Sequence, residues 1–182
     1  YLANNKVPDD IKTYVEKTRV TFLANLNRYD DAIAEQTEIL KKDRSEETLY
    51  YSYKLLKSAN QSEDKILKTL FGDNAKNKEQ CYYDIYNLLI KNNNYTDAQD
   101  FASRIEKNYP NSVACAFLNA ERYANEGMVN QAAEILNSIS DKLTRNEDIA
   151  TYNRLLAAIS AAPDKEAMSL FAQGYPDKAL EL

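Results

Sequence analysis

Histidine and tryptophan are absent from the 182 residues, and glycine (three), proline (four) and cysteine (two) are scarce. Each shortage excludes something. Without histidine, the commonest general base near neutral pH and the commonest metal ligand are gone, and enzymes built on either go with them. Gly72, Gly127 and Gly174 lie too far apart to form a phosphate-cradling loop, which needs two or three glycines within about eight residues. Two cysteines, Cys81 and Cys115, make no disulfide framework, so the redox compartment stays open, with the cytoplasm favoured and a secreted or periplasmic address not excluded. No run approaches the roughly 20 apolar residues needed to cross a bilayer, so membrane insertion is not expected. The balance of 23 Lys+Arg against 28 Asp+Glu leaves a net charge of −5, which disfavours direct nucleic-acid binding.

What is present is a foldable helical chain: 44% apolar, 28% charged, with fourteen tyrosines against five phenylalanines. Apolar residues recur at helical steps, as in Val20, Leu23 and Leu26, and no alternating strand pattern of useful length occurs. The pattern predicts helices over 9–26, 29–42, 46–60, 63–71, 78–92, 95–108, 112–125, 129–142, 147–161 and 163–173, with another starting at Pro176. Glycine and proline fall between these segments, as helix interiors require. The chain opens on Tyr1 rather than Met and stops at Leu182 inside a helical phrase, so it reads as a fragment of a longer chain.

The segments repeat. Ala98 lies over Ala132 at an offset of 34, which also sets Cys81 on Cys115, Tyr95 on Val129, Asn93 on Gly127 and Ile105 on Ile139. Further back, Ile66 lies 32 before Ala98, and Ala32 lies 34 before Ile66. Units are therefore expected near 13–46, 47–78, 79–112 and 113–146, with a partial one over 147–182, in a single domain. Asn-Arg-Tyr-Asp-Asp-Ala (27–32), Asn-Asn-Tyr-Thr-Asp-Ala (93–98) and Glu-Gly-Met-Val-Asn-Gln-Ala (126–132), with Pro110 at a repeat end, resemble the tetratricopeptide repeat family, in degenerate form. Trp is missing, and the family's small helix A position reads Val20, Lys54, Tyr86 and Ala120. Residues 148–170, with Leu155-Leu156-Ala157-Ala158 and Pro163-Asp164-Lys165-Glu166-Ala167, weakly resemble the end of the tetratricopeptide subunit of the signal recognition particle.

The resemblance implies an all-α, right-handed α-solenoid of antiparallel helix pairs (A then B in each unit), with a turn aromatic (Tyr29, Tyr95) holding the crossing of each pair and a small residue (Ala32, Ala98) allowing close approach. It also implies a concave groove lined from the A helices by Lys17, Thr21 and Asn25, then Tyr51, Leu55 and Ala59, then Tyr83, Asn87 and Lys91, and last Phe117, Glu121 and Asn125. Spacing of four keeps each trio on one helix face. Tyr51, Tyr83 and Phe117 form either an aromatic ladder facing a ligand or a line of core contacts between units. The family's clamp for a carboxylate terminus is not expected, because Lys17 and Lys91 stand two units apart and Glu121 would repel a carboxylate.

No catalytic residue is expected. The acidic pairs Asp9-Asp10, Asp30-Asp31, Glu46-Glu47 and Glu147-Asp148 diverge by about 100° on a helix and read as solvated N-terminal turns. Cys81 and Cys115 read as buried small hydrophobes, not paired with each other. The oxygen-rich set Asn74, Asn92, Asn93, Asn94 and Asp97 lacks a calcium-loop frame, so neither metal nor cofactor is expected. The functional expectation is a non-catalytic scaffold that binds a peptide or helical protein segment within a multiprotein complex. The alternative is a structural spacer or capping array, in a protein-targeting particle or a cell-envelope assembly, touching partners through its B helices or ends.

Overall fold

The computed structural model describes residues 8–161, and every regular element among them is helical. The helices are α1 (Asp9–Asn25), α2 (Tyr29–Lys42), α3 (Glu46–Ser58), α4 (Glu63–Phe71), α5 (Lys78–Lys91), α6 (Tyr95–Asn108), α7 (Val113–Asn125), α8 (Val129–Ile139) and α9 (Asn146–Ser160). Short 3₁₀ turns follow α4 (Gly72–Lys76) and α8 (Ser140–Lys142). The helices expected at 163–173 and from Pro176 lie outside the described residues, as do residues 162–170 of the 148–170 segment. The chain divides into two compact units, one ending at Gln99 and the other beginning at Asp100, within α6.

Local chemistry accounts for the boundaries. Ser45, Ser62, Asn77 and Ser112 each cap a helix by accepting from the backbone N–H three residues on, and Asn94 does the same for α6 at 3.4 Å. Acidic side chains then occupy the first turns of α2, α3, α4 and α9, against the positive end of the helix dipole.

One turn recurs four times. Asn27, Asn60, Asn93 and Gly127 all hold positive φ, at 57°, 50°, 57° and 78°. After each, the next residue's N–H reaches back five: Arg28 to Leu23, Gln61 to Leu56, Asn94 to Leu89 and Met128 to Tyr123. This is the helix-ending motif that satisfies orphan carbonyls through one left-handed residue, a place for glycine or asparagine. The spacings are 33, 33 and 34 residues.

Those spacings correct the expected frame of the second unit by one residue. Three of the turns enter the next helix two residues after the left-handed position, but α4 starts three after Asn60. An alignment anchored on Ile66 assigns that extra residue to the wrong side of the turn. Aligned on the turns, Val20 corresponds to Tyr53, Tyr86 and Ala120, and Lys17, Thr21 and Asn25 to Tyr50, Lys54 and Ser58. Burial agrees: Tyr53 is buried where Val20 and Ala120 are, while Lys54 is exposed.

In the first unit α1 packs on α2, α2 on α3, and α3 on both α4 and α5. Its core is built from Val20, Leu23, Ala32, Leu40, Leu56, Leu67, Leu70, Ile85 and Leu89. In the second, α7 packs on α8, and α9 packs on both, around Phe117, Ala132, Leu136 and Leu155. Ala32, Ala98 and Ala132 have no exposed surface, as the close approach of helices requires. Tyr95 departs from the expected pattern: its ring is largely exposed and its hydroxyl bonds back to Asn93 Oδ1 at 2.9 Å, so it does not fill a crossing.

Candidate functional site

One recess of the first unit is a cavity of about 250 Å³ lined by Lys17, Thr21, Gln36, Glu47, Thr48, Tyr50, Tyr51 and Lys54. Two of the expected groove residues close one wall: the Thr21 and Tyr51 hydroxyls lie 3.1 Å apart across α1 and α3. Lys54 sets its ammonium 4.6 Å from the centroid of the Tyr50 ring. Below them, Asp43 gathers the loop before α3, accepting from Thr48 Oγ1 at 2.6 Å and Ser45 N–H at 2.8 Å, with Lys17 Nζ at 3.2 Å. These hydrogen bonds, Thr48 first, hold the Asp43 carboxyl far below the usual carboxylate range.

Gln36 is the residue that sequence reasoning missed. It sits on the apolar side of α2 and is buried, and its amide nitrogen donates to Ser52 Oγ at 2.8 Å. Its carbonyl oxygen Oε1 is buried with no hydrogen-bond partner among the described residues. A buried acceptor left open costs about 1–3 kcal/mol, and this residue lines the recess. The only signal in the sequence is a Gln where helical spacing calls for an apolar residue.

A second recess, about 330 Å³, contains Asn87 and Lys91 together with Arg44, Glu46, Leu49, Leu70, Phe71, Asp84 and Leu88. Lys91 is tied to Glu46 at 2.9 Å, and Arg44 reaches the Leu70 carbonyl. Asn25 and Asn125 stand exposed at helix ends, and Glu121 pairs with Arg154 of α9 at 2.8 Å.

The aromatic ladder is corrected by burial. Tyr83 is 2% exposed, Phe117 0% and Leu55 5%, so these three are core residues and line no open wall. Tyr83 stacks on Tyr86 with centroids 6.0 Å apart, one helical turn along. Tyr51 alone of the three aromatics reaches a recess, and Tyr50 joins it through the one-residue change of frame.

Among the described residues no group of three metal-competent side chains occurs, and no helix is long and apolar enough to cross a membrane. Cys81 and Cys115 are free and buried. Of the acidic pairs, Asp148 is buried where a solvated cap was expected, and burial pushes its carboxyl above the usual range against the pull of Arg145. Asp97, at the start of α6, holds its charge despite burial, because Lys57, Asn94 and Tyr53 all donate to it. Comparison with protein-family models, with curated proteins and with solved structures finds no match to this chain.

Proposed function

We propose that the chain is a degenerate tetratricopeptide-type array, a right-handed α-solenoid, that binds an extended protein segment and carries no chemistry of its own. The repeated left-handed turn at 27, 60, 93 and 127 supports the family reading. The observation that carries the binding reading is the recess between α1 and α3. It offers hydroxyls (Thr21, Tyr51) and a cation on an aromatic face (Lys54 on Tyr50), with Gln36 among its lining residues. The hydroxyls can hold backbone amides of an extended segment, and a carboxylate side chain fits Lys54. Open recesses of this kind desolvate one side of a ligand, so the dissociation constant of an isolated segment is expected near micromolar, about −8 kcal/mol.

The test is capture of partners by the wild-type chain and by a Tyr51→Ala, Lys54→Glu variant that keeps its helical circular dichroism. Loss of capture with fold retained supports the recess. Unchanged capture moves the binding surface to the B helices or the ends. Such a shift would favour the spacer reading, which already draws on the burial of Leu55, Tyr83 and Phe117 and on the engagement of Lys91 and Glu121 in ion pairs.

A further inference from the structure

Three charged side chains line the recess between α1 and α3: Lys17, Glu47 and Lys54. Lys17 is committed to Asp43, and the remaining charges of α3, Glu46 and Lys57, are committed to Lys91 and Asp97. Glu47 and Lys54 are both exposed and make no ion pair among the described residues. The helix dipole favours an acid at either position of the first turn of α3, and of Glu46 and Glu47 it is Glu47 that lines the recess.

The two open charges are arranged along the helix. They are seven residues apart, so they fall within about 20° of one face and about 10.5 Å from each other along the axis. Tyr51 lies between them, its hydroxyl 3.1 Å from that of Thr21. In order along α3, the recess therefore presents an anion, a pair of hydroxyls and a cation.

The strip is complementary to a single extended chain. A cavity of about 250 Å³ does not admit a helix about 10–12 Å across. In polyproline II conformation a chain has three residues per turn, which sets side chains i and i+3 on one face about 9.3 Å apart. In a β-strand, residues on one face are two or four apart, at about 6.7 or 13 Å. The polyproline II spacing is the nearest to the rise between Glu47 and Lys54. We infer, on the strength of the binding proposed for this recess, that its occupant is a polyproline II segment carrying one basic and one acidic side chain three residues apart. The basic side chain lies against Glu47 and the acidic one against Lys54, with the backbone between them on the Thr21 and Tyr51 hydroxyls. Those hydroxyls donate and accept alike, so the recess selects charge and spacing rather than chain direction.

The test is selection from a random octapeptide library on the full chain. The expected result is enrichment of a basic and an acidic residue three apart, with Glu47→Lys selecting two acids at that spacing and Lys54→Glu selecting two bases. Either substitution is expected to weaken the wild-type selection about tenfold, by setting like charges together. A second measurement needs no variant. An octapeptide of alanine and proline carrying the pair at a spacing of three is expected to bind the wild-type chain about threefold more tightly than one spaced at two or four. Selected segments that lose binding with Tyr51→Ala but carry no charge pair, or carry it at two, four or seven, overturn this inference and leave binding in the recess standing. Selected segments indifferent to Tyr51→Ala, or no selection at all, overturn binding in the recess and this inference with it.

Discussion

Single carboxyls in this protein respond to pH in opposite senses. Asp43 and Asp97 titrate below an unfolded Asp, near 3.9, because hydrogen bonds and lysines favour their charged forms. Their stabilisation is complete above that value and is lost as pH falls through their folded-state pKa values. Asp148 is the reverse: burial raises its pKa, so its contribution is complete below the unfolded value and is lost as pH rises through the folded one. Asp148→Asn is accordingly expected to raise the melting temperature at pH 7 and leave it nearly unchanged at pH 3. Asp43→Ala, which removes the hydrogen bonds to Thr48 and Ser45, should lower stability at pH 7 by about 1 kcal/mol. Denaturant titrations of both variants at the two pH values check the signs. None of this was legible in the residues alone, since Asp148 sits in an acidic pair no different from the solvated ones and only packing buries it.

At the scale of the helix and its turns, the sequence was far more readable. Nine expected helices appear with ends within a few residues, because caps and left-handed turn residues are local chemistry: Ser45, Ser62 and Ser112 stop the chain from starting elsewhere. The misplaced residue around Asn60 shows the limit, since a longer turn changes no local propensity yet shifts every wall position of α3 by one. Helix periodicity alone does not distinguish a ladder facing solvent from one facing core; burial does, at Tyr83 and Phe117. Two expectations follow at this scale. Ala98→Leu and Ala132→Leu should each overpack a fully closed contact and cost about 1–3 kcal/mol, measured by urea unfolding. Gly127→Ala, at φ 78° with nothing within 4 Å of an added Cβ, should cost about 1–2 kcal/mol from backbone strain alone; an unchanged midpoint would contradict the turn assignment.

At the scale of the whole molecule, the proposed array rests on helix pairs too small to bury their own apolar faces, and in the first unit a recess lies between α1 and α3. The recess between α1 and α3 brings together the Thr21 and Tyr51 hydroxyls and the Lys54 cation, and the binding proposal stands on it. The most direct measurement is hydrogen exchange of the chain with and without a segment selected for binding from a peptide library. The proposal predicts added protection concentrated in α1 and α3, around Thr21, Tyr50, Tyr51 and Lys54, and its loss in the Tyr51→Ala, Lys54→Glu variant. Protection confined to α8 and α9, or left intact by that variant, would contradict it.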